Sequence, residues 1–242
     1  MLSGMGSRTT DGMRRYWDDR ARENAAWYVD TTLHYDDPDM ARFFADGERI
    51  VGDALDDAPA LPARTEVALE IGSGLGRVVQ ALAARFDRVV GVDISPHMVA
   101  EARRLVPEPR VEFRLGDGTS LAGVEDGSVD LVLSFTVLQH IPDPAVIEAY
   151  LREAGRVLRP GGVLVFQWNN TPGARRWVVR RWWLSLLQRS GLRPEAFGRH
   201  APAFLGSRVP LRRIDAALRD GGLTRVGVRG EGTLFAWAWA TA

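Results

Sequence analysis

The chain of 242 residues contains no cysteine and no lysine; all 31 of its basic side chains are arginine. Without lysine there can be no Walker-type phosphate loop, no Schiff base and no lysine general base. Without cysteine there is no thiol nucleophile, disulfide or thiolate metal cage. No run approaches the about 18 apolar residues of a membrane-spanning helix. The first ten residues, MLSGMGSRTT, lack the apolar stretch of a secretory signal. A cytoplasmic location is the resulting expectation. The formal net charge is zero, which argues against bulk affinity for nucleic acid.

That zero is made of unlike parts. Residues 1–66 hold eight Arg and fourteen acids, whereas residues 169–213 hold ten Arg and one acid, Glu195. The length suits one domain with decorations, and 45% hydrophobic and 26% charged residues suit a globular chain. Residues 1–10 read as a tail. Met13 to Val29 has no Pro or Gly and reads as a helix. Asp37-Pro38 reads as an N-cap with Pro in the first turn of a second helix, ending near Leu55. The Pro-rich stretch DDAPALPART, Asp56 to Thr65, is a connector.

From Glu66 short apolar runs alternate with helical stretches. Candidate strands are Val67–Ile71, Arg88–Asp93, Val111–Leu115, Val129–Phe135 and Gly162–Trp168. Helices are expected from Gly74, Ser95 and Asp143, the last two being N-caps followed by Pro. Strands apolar on both faces and alternating with helices imply a parallel sheet covered on both sides. A helix at about Pro210 to Arg219 and two runs, Leu223–Arg229 and Thr233–Ala240, close the chain. The Gly230-Glu231-Gly232 link marks these runs as an antiparallel edge hairpin. The expected organisation is a tail and cap helices over 1–65, a core over 66–168, an inserted basic helical lid over 169–213, and a last helix and hairpin over 214–242.

Val67 to Arg77 reads VALEIGSGLGR, a buried strand running into Gly72, Gly74 and Gly76. Glycines at such a turn let backbone approach a ligand where any Cβ would collide, and the following helix offers free N–H groups. The second strand ends in Gly91-Val92-Asp93-Ile94, placing a carboxylate where it can accept both hydroxyls of a ribose. After the third strand comes Gly116-Asp117-Gly118; Asp117 can take an exocyclic adenine N–H or serve as a turn residue.

EIGSGLGR, GVDIS, GDG, VDLVLSFTVLQHIPD and LRPGGVLVF, in that order, resemble the class I S-adenosylmethionine-dependent methyltransferases, of the type acting on small molecules. The resemblance covers residues 66–168, and the terminal hairpin suits the family's seven-stranded sheet. It implies an α/β, Rossmann-like fold: a mostly parallel sheet with one antiparallel edge hairpin, helices on both faces, an N-terminal helical cap and an inserted lid. It implies S-adenosyl-L-methionine as cofactor, with Gly72, Ser73, Gly74 and Gly76 around its methionine portion and Glu70 helping to hold the amino group. Asp93 then binds ribose, Ile94 and Met98 pack on adenine, and Asp117 and Gly118 read its edge. Ser134, Phe135 and Thr136 lie beside the methyl group; Arg77 and Arg20 are candidates for the cofactor carboxylate.

A positioned base aids transfer to a hydroxyl or ammonium. His140, just beyond the fourth strand, is the first candidate, with a structural role as its alternative. Tyr16, Tyr28, His34, Tyr35 and His200 are candidates for the acceptor side, with packing as the competing role for the tyrosines. The acceptor is expected to be a small molecule methylated on O or N, and no metal is expected. Two alternatives stand beside this. An NAD(P)-dependent oxidoreductase would show G-x-G-x-x-G, but here the third glycine comes one place early and the reductases' lysine is missing. A catalytically silent S-adenosylmethionine-binding protein would keep the same pocket motifs. In the basic insertion, Gly173 to Ser190 puts Val178, Val179, Trp182, Trp183, Leu186 and Leu187 on one helical stripe. Packing against the acidic N-terminal segment is favoured for it, ahead of drawing in an anionic or aromatic acceptor and of membrane contact.

Overall fold

A computed structural model describes residues 3–172, 204 and 206–242. The amphipathic stripe of the insertion and His200 lie outside these residues.

Seven strands form one sheet: β1 (Val67–Ile71), β2 (Arg88–Asp93), β3 (Val111–Leu115), β4 (Val129–Ser134), β5 (Leu158–Trp168), β6 (Thr224–Arg229) and β7 (Ala236–Thr241). Their order is β3-β2-β1-β4-β5-β7-β6. β1 to β5 pair in parallel, and β7 runs antiparallel between β5 and β6. The chain therefore works outward from β1 to β3, then restarts on the other side at β4. Such a reversal opens a crevice at the carboxyl ends of β1 and β4, where ligands bind in open α/β sheets.

Alternation along the strands assigns each face its helices. Leu69, Ile71, Val132, Leu164, Phe166 and Trp168 meet α5 (Pro144–Val157) and α6 (Leu211–Asp220). Ala68, Leu131, Leu133, Val163, Val165, Trp237 and Trp239 meet α2 (Met40–Leu55), α3 (Arg77–Ala83) and α4 (Pro96–Leu105). Ser95 and Asp143 cap α4 and α5 as expected, each accepting from a first-turn N–H ahead of which Pro stands.

Several boundaries differ from the sequence expectation. The tail is helical: α1 runs from Ser3 to Val29. It breaks at Asn24, whose extended backbone (φ −166°, ψ 85°) interrupts the ladder. The Asn24 side chain accepts from Trp27 N at 3.1 Å and so caps the short second segment. α2 is capped by Asp39, not Asp37, and begins at Met40. α3 begins at Arg77 rather than Gly74, because Gly72, Gly74 and Gly76 all take positive φ and keep the turn out of the helix. β5 pairs from Leu158, four residues early, with Gly161 at φ +80° beside a register shift against β4. Among the described residues no helix is long and apolar enough to cross a membrane.

α2 lies so close to the start of α3 that a Cβ at Gly47 would overlap the Arg77 carbonyl. Gly47→Ala is therefore expected to destabilise the fold by about 1–3 kcal/mol, as overpacking does. A urea unfolding curve with an unmoved midpoint would count against this packing.

Candidate functional site

The glycine turn is braced before any ligand arrives. Gly72 and Ser73 donate their N–H groups to Val92 O at 2.7 and 3.0 Å, tying the turn to β2. Asp93, at the tip of β2, accepts from Gly74 N at 2.8 Å and Ser95 N at 2.9 Å. One carboxylate thus joins the two loops that flank the crevice. Burial pushes the Asp93 carboxyl above its ordinary value against these backbone donors. A Cβ at Gly72 would overlap Val137, and one at Gly118 would crowd the Ile94 side chain. Both turns are at their closest approach. Thr136, between β4 and Val137, has φ +53°. A β-branched residue in the left-handed region is strained, and such strain gathers at functional sites.

Two polar atoms under this turn have no partner. Glu70 is 3% exposed, and its Oε2 and the buried Ser73 Oγ make no hydrogen bond. Burial pushes the Glu70 carboxyl well above the carboxylate range; Arg77 opposes the shift and Asp93 adds to it. Buried acceptors without donors cost about 1–3 kcal/mol each. A cationic N–H group entering the crevice would relieve that cost at Glu70.

α1 lies over the carboxyl edge of the sheet. Met13 and Tyr16 sink into the core on the α5 side. Asp18 accepts from Ser95 Oγ at 2.8 Å and His97 N at 2.9 Å, capping α4 from outside. Burial works against the Asp18 charge, but these bonds and Arg22 hold its carboxyl below the ordinary value. At the far end Asp30 meets Arg77 at 2.9 Å, both side chains 9% exposed. The Arg77 guanidinium also lies over the Phe43 and Phe135 rings, at 5.1 and 5.7 Å from their centroids, and donates to Val29 O. Arg77 is thus a tie between cap and core. The guanidinium expected to meet a ligand carboxylate has its Nη1 on Asp30 and its Nη2 on Val29 O.

The other expected residues fall into three groups. Ser134 is fully buried and donates to Ile71 O at 3.3 Å; Phe135 packs on Trp237; Met98 joins Leu75 and Phe43 under the cap. Asp117 holds its own turn, accepting from Thr119 and Ser120 backbone and hydroxyl groups at 2.6–3.1 Å. Arg20 pairs with Glu23 at 2.6 Å and donates to Tyr28 Oη; its Nε is buried and unpartnered. Tyr28 and Tyr35 both donate to Glu23, and His34 accepts from Asp37 N in an exposed turn. These three brace the cap. Tyr16 is 1% exposed and belongs to the core.

His140 closes the 3₁₀ turn Leu138–His140 after β4. Its Nδ1 lies 2.5 Å from Phe204 O. A carbonyl only accepts, so Nδ1 carries the hydrogen and Nε2 keeps the lone pair. Burial holds the imidazole below its ordinary value, partly offset by this bond. Trp17 of α1 and Phe204 flank the ring at 5.5 and 5.1 Å. The insertion is rooted beside β5: Val209 N donates to Asn169 O at 3.1 Å, and Asn170 N to Thr233 O at 2.9 Å. Among the described residues no group of three or more His, Asp or Glu could hold a metal ion.

Trp17 and Asp18 belong to the stretch Tyr16 to Arg20, YWDDR, which resembles the cap helices of small-molecule members; Asp30, Phe204 and Tyr150 escaped the sequence reading. The Tyr150 hydroxyl is pushed up by burial and by the charges of Asp117 and Asp93, which places this α5 residue toward the same edge. Helical spacing marks Tyr150 as core, where it is buried, and no local signal reports the carboxylate charges that act on its hydroxyl.

Residues 69–166 match the family described as Methyltransferase domain. A 2-methyl-6-phytyl-1,4-hydroquinone methyltransferase of Synechocystis is 33% identical over 66% of this chain and 48% of its own length. A ubiquinone biosynthesis O-methyltransferase of Xanthomonas oryzae is 34% identical over 44% of each chain. A 37.1 kDa protein in a Streptomyces fradiae transposon is 44% identical over 52% of this chain and 34% of its own length. The chain thus spans half or less of the curated relatives it matches. Among solved structures, the DhpI-SAM-HEP complex aligns over 96% of this chain and 97% of the other, with TM-score 0.59 and 22% identity. An S-adenosylmethionine dependent methyltransferase from Mesorhizobium loti aligns over 78% and 100%, with TM-score 0.56 and 19% identity.

The Asp30 carboxyl is raised by burial but lowered more by Thr32 and Arg77, so it ends below its ordinary value. Its stabilisation is complete above the unfolded value of about 3.9 and is lost as pH falls through the folded value. Asp30→Asn is expected to cost about 3 kcal/mol near neutrality. The difference from the parent should shrink in denaturant titrations stepped below about pH 4. A gap that stays constant with pH would contradict the pair.

Proposed function

We propose that this chain, whose residues 69–166 match the methyltransferase domain family, transfers a methyl group from S-adenosyl-L-methionine to an oxygen or nitrogen of a small-molecule acceptor. The observation that carries the reading is the unpartnered, buried Glu70 Oε2 beneath the braced glycine turn. It suits an ammonium group, and the braced crevice leaves Gly72, Gly74 and Gly76 to follow the ligand's backbone-like portion. Asp93, at the end of β2, takes the ribose hydroxyls. Ile94 and Gly118, in contact with each other, form the adenine floor. The cofactor, when bound, supplies a methyl group on a cationic sulfur that leaves as a neutral thioether.

The protein's own part is placement, exclusion of water and proton removal. α1, held by Asp18 and Asp30, covers the crevice. His140 presents Nε2 as the base: it accepts the proton of an acceptor hydroxyl or ammonium as the new bond to the methyl carbon forms, and later returns that proton to solvent. The aromatic rings of Trp17 and Phe204 beside it suit a planar acceptor, in keeping with the hydroquinone in one relative's name and the ubiquinone biosynthesis in the other's.

A screen of small phenols and amines with purified protein, following S-adenosylhomocysteine release, tests the reaction. Failure to bind S-adenosylhomocysteine at all would overturn it. Asp93→Ala is expected to weaken S-adenosylmethionine binding by about 1–3 kcal/mol, as loss of a hydrogen bond to a charged group does; unchanged affinity by calorimetry would remove the ribose assignment. His140→Ala is expected to lower turnover about 10²-fold or more with folding intact. A loss below about threefold would leave His140 without a role as base. Glu70, raised when free, should ionise as it meets a cationic group. Cofactor binding in mildly acidic buffer is therefore expected to release protons, read from calorimetry in buffers of different ionisation enthalpy.

A further inference from the structure

The stretch from Phe204 to Val209, where the insertion returns to the sheet, is fastened to the loop after β4 at three points. Phe204 O receives the His140 Nδ1–H. Ser207, 2% exposed, donates its hydroxyl to Ile141 O at 2.7 Å. Gly206, at φ +58°, lies so close to Gln139 and His140 that a Cβ would overlap the Gln139 carbonyl oxygen. At the other end, Trp168 Nε1 donates to Val209 O at 3.0 Å and Val209 N donates to Asn169 O. Phe204 and residues 206–209 therefore link the end of β5 to the turn that carries His140, meeting it at Gln139, His140 and Ile141.

These contacts act on the choice of ring nitrogen. Which nitrogen of a neutral imidazole keeps its lone pair is set by the hydrogen bond the other one makes. A free neutral imidazole side chain favours the hydrogen on Nε2, which would leave that nitrogen unable to take a proton. A fixed acceptor at Nδ1 reverses that preference. The acceptor here is a main-chain carbonyl, so its position depends on the fit of the whole stretch and not on one side chain. Gly206 supplies the close approach and Ser207 the lateral tie.

We propose that Gly206 and Ser207 are positioning residues: they seat the Phe204 carbonyl against Nδ1 and so hold His140 in the tautomer whose Nε2 accepts the proton. This rests on the reading of His140 as the base, and it makes the returning arm of the insertion part of the catalytic apparatus. Arm and base are then linked in both directions. A change that lifts the arm switches the base off without touching the cofactor crevice.

The test is nitrogen NMR on protein labelled with ¹⁵N-histidine, with His140→Gln used to assign the signal among the four histidines. The parent is expected to show His140 with hydrogen on Nδ1. Gly206→Ala is expected to move it toward the Nε2–H form, and Ser207→Ala to do so in part. With the acceptor found in the screen, Gly206→Ala should lower kcat by on the order of tenfold or more while S-adenosylhomocysteine affinity stays unchanged. An Nε2–H form in the parent overturns the proposal. So does an unchanged Nδ1–H signal in folded Gly206→Ala, or in Ser207→Ala should the glycine variant not fold. A correct tautomer in the parent together with full turnover by His140→Gln would instead refute the base and leave the positioning intact, so the two failures are told apart.

Discussion

The architecture of the site depends on one buried ion pair. Arg77 starts the helix that follows the glycine turn, and Asp30 ends the helical segment that lies across the crevice. Their contact, with Phe43 and Phe135 against the guanidinium faces, fixes the N-terminal helices relative to the sheet. A pair of this kind gains little net stability over an apolar one, because two charges lose their water. What it does supply is register: a misplaced α1 would leave an unpaired charge in the interior. Asp18 on Ser95 and His97 does the same at the other end of the crevice with neutral donors. Between these ties sits the break at Asn24, where the helix bends to follow the sheet edge.

Within that frame the crevice is built from two kinds of polar group. Asp93, Asp117 and Asp18 already have their donors and serve to shape loops. Glu70 and Ser73 do not, and their unmet capacity is what a ligand can use. The distinction separates scaffold from binding surface more sharply than residue type does. Asp93 belongs to both classes, since each oxygen has a further lone pair after its backbone bond.

Much of the fold was legible in the residues because it follows from period and punctuation. Five apolar runs, three of them closed by Gly72, Asp93 and Gly116, and Pro after Ser95 and Asp143, locate strands and caps with local chemistry alone. The start of α3 was misplaced because three positive-φ glycines extend the turn, and their torsions are set by the ligand loop and not by helix propensity. The cap of α2 moved from Asp37 to Asp39 because either Asp flanks Pro38 plausibly and only the packing of Phe43 decides. Arg77 was read toward a ligand because it follows the glycines in sequence. Its partner Asp30 lies 47 residues earlier, and no periodicity reports a pairing at that distance. The fastening of His140 by a backbone carbonyl was equally hidden, since any residue at position 204 carries one.

The root of the insertion has a consequence of another kind. Its two ends are joined by the Val209–Asn169 hydrogen bond and buttressed by Thr233, so the chain leaves and rejoins the sheet at one place. Lengthening a closed loop costs only about 0.6 kcal/mol per doubling. Natural variation can therefore change the length of chain between Asn169 and Phe204 at little cost to the sheet, provided the contacts of Phe204, Gly206 and Ser207 with the His140 turn are kept. The corresponding stretch of the gene can lengthen or shorten while the codons for Phe204 and for residues 206–209 stay fixed.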